Sequence, residues 1–147
     1  MSYDIGGWIE VTACAPEKRA GLPSLWLPLM SLAPFGIGGD DISDYLFGLS
    51  KAPSGPGLFG GRGVPEDCST ATRVAIERNR SFIREDAEGD FGHTHASLEE
   101  IGEALKRAGA PHSADSQWHH VLASVRFALR PYSLNFRWCR CVVWANW

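Results

Sequence analysis

Cysteine is scarce in this chain, four in 147 residues, and no Cys-x-x-Cys pair occurs among Cys14, Cys68, Cys139 and Cys141. That argues against a disulfide framework. No apolar run approaches the length of a membrane span. Met1-Ser2-Tyr3-Asp4 has neither the basic start nor the apolar stretch of a signal peptide. The sequence therefore predicts a cytoplasmic protein with free thiols. Positive charge is also short: the formal net charge is −3, whereas indiscriminate binding to long nucleic acid needs clustered Lys and Arg. No Gly-x-Ser-x-Gly elbow, no His-Glu-x-x-His helix and no P-loop ending are present. Complete catalytic signatures are absent, and no metal site or cofactor is assigned.

What is present describes one folded domain spanning residues 1–147. Hydrophobic residues make up 44% and charged residues 21%, enough apolar side chain for a real core at this length. Six tryptophans are many for such a chain, and several are expected in a core or on a ligand-facing surface.

Period-two alternation over Tyr3 to Val11 predicts a strand, with Gly6-Gly7 marking a bulge or a close backbone approach. Leu25 to Leu32 is a second extended run, demoted by Pro28 to an edge strand or irregular segment. Asp40 or Asp41 can cap a short helix through Leu49, and the glycine-rich stretch from Ala52 to Gly63 reads as a loop. Ser69 caps a helix ending near Asn79, and Glu85 to Phe91 reads as an acidic loop. Ser97 and Glu100 form a capping-box pattern ahead of a helix that stops at Gly109. Ser116 to Arg130 is the clearest helix, with Trp118, Val121, Leu122, Val125 and Leu129 on one face. Asn135 to Trp147 reads as a last, central strand with Phe136, Trp138, Arg140, Val142 and Trp144 on one face and Cys139, Cys141, Val143 and Ala145 on the other. The sum is α+β: a small, mostly antiparallel sheet of N- and C-terminal strands covered by three to four helices.

Candidate site residues follow. His93 and His95 precede a capped helix, whose start offers N–H groups and a positive dipole end to an anion. Glu99 and Glu100 oppose this unless Ser97 and Glu100 occupy each other. A metal would need a further ligand from His119, His120, Cys139, Cys141 or Asp4. The structural alternative is one histidine satisfying loop carbonyls and the other exposed. Arg62 sits among Gly60, Gly61 and Gly63, where it suits phosphate or serves as a solvated loop charge. Arg140 beside Trp138 and Trp144 suits base stacking with charge, and core packing explains the same residues. Asp4, Asp67, His93 and His95 could act as an acid–base group if the fold gathers them. From Pro111 onward the charges are Asp115 against Arg126, Arg130, Arg137 and Arg140. An arginine-rich, aromatic C-terminal quarter fits a small anionic ligand better than a long polyanion.

Four segments in order resemble a family of uncharacterised tailed-phage proteins. They are Met1-Ser2-Tyr3-Asp4-Ile5, then Arg62 to Ser69, then Gly92 to Glu100, and the aromatic end from Arg140 to Asn146. Members usually carry His where this chain has Gly6, and Asp before Asn where it has Ala145-Asn146. The resemblance implies a viral origin and a role in host cytoplasm; it implies no chemistry. Taken together, the expectation is a counter-defence protein that sequesters a nucleotide-derived host signal, such as a cyclic oligonucleotide or an ADP-ribose derivative. Asp4, Arg62, His93, His95, Trp138, Arg140 and Trp144 would line its ligand site. The alternatives are a phosphodiesterase acting on that ligand class and a protein–protein inhibitor of a host enzyme. A homo-oligomer is compatible with all three, and no membrane partner is expected.

Overall fold

The computed structural model describes residues 4–12, 25–38, 41–49, 54–81, 92–109 and 116–146. Four antiparallel strands form one sheet in the order β2-β1-β4-β3. β1 is Asp4–Thr12, β2 Trp26–Ser31, β3 Thr94–Ser97 and β4 Cys139–Asn146. The helices are α1 (Asp41–Phe47), α2 (Thr70–Ser81), α3 (Leu98–Ala108) and α4 (Gln117–Leu129). The α+β class expected from the sequence is the class observed. The acidic loop read over Glu85 to Phe91 lies outside the described residues.

β4 is central, between β1 and β3, and its residues from Cys139 to Ala145 are all buried. Two apolar faces explain this, since a strand covered on both sides cannot alternate with polar residues. Close approach of β1 to β4 depends on Gly7, where an added Cβ would lie 2.4 Å from the Val142 carbonyl oxygen. β2 is an edge strand, and a register shift between Ile9 and Glu10 falls opposite Pro28. Pro28 cannot donate a ladder hydrogen bond, so an edge with a bulge accommodates it.

One sheet face carries Ile5, Ile9, Cys141, Val143 and Ala145 into the main core with Leu46, Leu98, Ile101, Trp118, Val121 and Val125 from α1, α3 and α4. The opposite face carries Trp8, Val142 and Trp144 against Ile76 of α2. All five apolar positions expected on the α4 face are buried. The Ser97–Glu100 capping box forms in both directions, and Ser69 caps α2 by accepting from the Thr72 N–H at 3.2 Å.

Two expectations are corrected. Thr94 to Ser97, for which the sequence predicts no strand, pairs with β4, so His95 lies in the sheet. The last strand starts at Cys139, because Asn135 caps a 3-10 turn over Phe136–Trp138 and accepts from the Arg137 N–H at 3.1 Å. Phe136 and Trp138 consequently leave the strand face on which the alternation placed them.

Candidate functional site

Strand alternation puts Glu10, His95, Arg140, Val142 and Trp144 on the sheet face that α2 covers. Arg140 is buried there. Its Nε donates to Glu10 Oε2 at 2.7 Å, one terminal nitrogen donates to Asp67 Oδ1 at 2.8 Å, and its guanidinium carbon lies 4.0 Å from the Trp26 ring centroid. Glu10 is fully buried and also accepts from the Ser69 N–H at 2.5 Å and the Thr72 hydroxyl at 2.8 Å. Asp67 accepts from the Trp26 indole N–H at 3.0 Å. The network ties β1, β4 and the entry to α2 together, and a buried carboxylate held by this many donors is stable only while its cation remains.

The other sequence candidates are similarly engaged. Arg62 forms a two-pronged pair with Glu100, both contacts at 3.0 Å, and lies over the Phe59 ring. Glu100 is thereby held below the ordinary carboxylate range, first by the Arg62 hydrogen bonds and then by the Ser97 N–H. The capping box fills the first turn of α3, so that helix start is served by its own residues. His95 Nδ1 lies 3.0 Å from the Gly63 carbonyl oxygen. His93 is buried beside Trp144, ring centroids 6.2 Å apart, and Trp144 is 5% exposed. Trp138 is half-buried in its turn, and Asp4 is exposed at the start of β1. Thus His93 meets Trp144, and Arg62 meets β3 through its N–H to Thr94 Oγ1 at 3.3 Å. Of the acid–base candidates, Asp67 is held by Arg140 and Trp26. Among the described residues, His, Cys, Asp and Glu form no cluster of three suited to a metal.

Burial sets the thiol chemistry. Desolvation pushes the Cys139 thiol up to about 12, and Cys141, fully buried, is raised further, with Glu10 adding to the effect. Thiolate is the reactive form. At pH 8 an alkylating reagent is expected to leave Cys139 and Cys141 unmodified in the folded protein and to modify both in denaturant, read by peptide mass spectrometry. Labelling of either in the native state would contradict the packing described.

An open, positively lined pocket lies elsewhere. α4 runs into a 3-10 turn at Arg130–Tyr132, and the chain then returns through Asn135 to β4. Between these segments is a cavity of about 360 Å³ lined by Glu99, Arg126, Leu129, Arg130, Leu134, Asn135, Phe136 and Arg137. Its volume falls in the range of small-molecule sites. Arg126, in the last turn of α4, and Arg130, its C-cap in helical conformation, stand about one turn apart on the same side, as a four-residue spacing requires. The Arg126 guanidinium lies 4.8 Å from the Phe136 ring centroid, a cation–π contact that orients it. Among the described residues the lining thus holds three arginines and one carboxylate, Glu99. The sequence signal was the arginine-rich C-terminal quarter; what it did not show is that Arg140 turns inward while Arg126, Arg130 and Arg137 line a cavity.

The chain matches no family model, no curated protein and no solved structure.

Proposed function

We propose that this protein binds a small anionic, nucleotide-type ligand and holds it without transforming it, in the arginine-lined pocket at the end of α4. The observation that carries this reading is the convergence of Arg126, Arg130 and Arg137 with Phe136 on one cavity. Guanidinium forks suit phosphate oxygens in pairs, and an aromatic ring offers a base a stacking surface. Among the described residues the lining supplies one carboxylate, Glu99, and no hydroxyl, thiol or imidazole, which supports binding over turnover. The resemblance to tailed-phage proteins supplies the setting. In an infected host such a protein would sequester a nucleotide-derived immune signal, a cyclic oligonucleotide or an ADP-ribose derivative.

A second reading, inhibition of a host enzyme by direct contact, is favoured by Phe127 and Tyr132, 76% and 72% exposed at the same end of α4. Exposed aromatics are common anchors of protein interfaces.

The test is incubation with a panel of cyclic oligonucleotides and ADP-ribose derivatives, then heat denaturation and chromatography of what is released. Capture followed by return of intact ligand is expected, and Arg130→Ala should weaken capture by at least about tenfold, as loss of one charged hydrogen-bonding partner does. A cleaved product would replace binding with catalysis. Compounds left free and intact would remove the nucleotide reading and leave the protein-contact one.

A further inference from the structure

Arg126 lines a second cavity as well. Between α3 and α4 lies a space of about 420 Å³ bounded by Gly102, Leu105, Lys106, His119, Leu122 and Arg126, among others. His119, Leu122 and Arg126 follow a three- and seven-residue spacing, which is one stripe along the helix. The two cavities therefore share Arg126 as a lining residue.

Two observations point to an occupant of this second cavity. The first is Gly102, in the middle of α3. A glycine inside a helix is unfavourable relative to alanine and is ordinarily explained by a neighbour that leaves no room for Cβ. Here an added Cβ would meet nothing within 4 Å among the described residues. The missing side chain widens the groove and serves no packing contact. The second is His119, whose Nε2 is shielded from solvent and has no hydrogen-bond partner among the described residues. Such atoms are normally satisfied by protein or water, and an orphan marks a place where a further polar group is accommodated. Lys106 adds a cation to the lining, paired with exposed Glu103 at 3.2 Å, a type of contact that is weak in water.

We infer that the second cavity is a subsite of the arginine pocket, and that the ligand carries two separated anionic groups, one at each end of the Arg126 bridge. This rests on the binding reading above and narrows it. His119 and Arg126 are seven residues apart on α4, about 10 Å along the axis at the ordinary rise per residue. A ligand with a single phosphate fills one cavity, whereas a cyclic dinucleotide, with two phosphodiesters on opposite sides of one ring, reaches both.

The test is calorimetric titration of the protein with 5′-AMP and with cyclic di-AMP. Wild type, Gly102→Leu, Lys106→Met and Arg130→Met are compared. Cyclic di-AMP is expected to bind wild type at least about tenfold more tightly than AMP, the scale of one added charged contact. Gly102→Leu, which fills the groove and favours helix, and Lys106→Met should each remove most of that advantage and leave AMP within about twofold. Arg130→Met should weaken both probes. If AMP binding depends on Arg130 but cyclic di-AMP is no tighter and the groove variants are silent, the two-site inference falls and the arginine pocket stands. If neither probe binds wild type, the binding reading falls and takes the inference with it.

Discussion

Replacing Arg140 with methionine is expected to destabilise the fold by about 3–5 kcal/mol, the cost typical of removing one member of a buried ion pair. The methionine keeps most of the apolar stem and removes only the charge and its donors. Glu10 would then remain fully buried with the Ser69 N–H and the Thr72 hydroxyl as donors and no cation. Because those donors also begin α2, the strain reaches the helix that covers Val142 and Trp144. The double variant Glu10→Gln, Arg140→Met should recover more than half of the loss, since a neutral amide can still accept from Ser69 without stranding a charge. Urea denaturation of both proteins measures the difference. A loss below about 1 kcal/mol in the single variant, the size of an exposed pair, would contradict the buried network.

Trp118→Ala is expected to cost a similar amount, about 3–5 kcal/mol, for a different reason. Trp118 has no exposed surface, its ring centroid is 5.3 Å from that of Phe47, and its indole N–H donates to Ser43 Oγ at 3.3 Å. Truncation opens a cavity where α4 meets α1. Ser43 keeps its own bond to the Gly38 carbonyl at 3.0 Å, so the loss is mainly one of packing. Trp118→Phe retains much of the ring contact and should cost about half as much or less. Phe127→Ala serves as the control on the same helix: at 76% exposure it should change stability by no more than about 0.5 kcal/mol. Thermal and denaturant melts of the three variants check the order. Equal costs at 118 and 127 would mean that α4 docks by another face.

Parts of the fold were legible because they are local. The α4 stripe, the Ser97–Glu100 box and the Ser69 cap depend on residues within a turn of one another, and each was found where the pattern put it. β3 was missed because Thr94-His95-Ala96-Ser97 is short and has no apolar alternation. It is a strand because β4 pairs with it, and partners distant in sequence leave no mark on the segment itself. The start of β4 was misplaced for the opposite reason: Phe136 and Trp138 continue the alternation, but the Asn135 cap closes a turn around them.

The site shows the same division. The concentration of arginine after Pro111 pointed to anion binding, yet alternation alone cannot tell which sheet face a helix will cover. α2 covers the face of Arg140 and Trp144, converting two ligand candidates into an internal ion pair and a core side chain. Arg126, Arg130 and Arg137 line a cavity because of where the return from α4 to β4 runs. Gly102 was readable in principle as an uncompensated glycine within an otherwise well-patterned helix, although only the packing shows that space is left above it.

The most direct test of the central claim is a nuclear magnetic resonance titration of the arginine side-chain Nε–Hε signals with 5′-AMP. Saturable shifts are expected at Arg126, Arg130 and Arg137, with Arg62, Arg140 and the imidazole signals of His93 and His95 unmoved. Shifts confined to Arg62, His93 and His95 would place binding at the start of α3 and contradict the pocket at the end of α4.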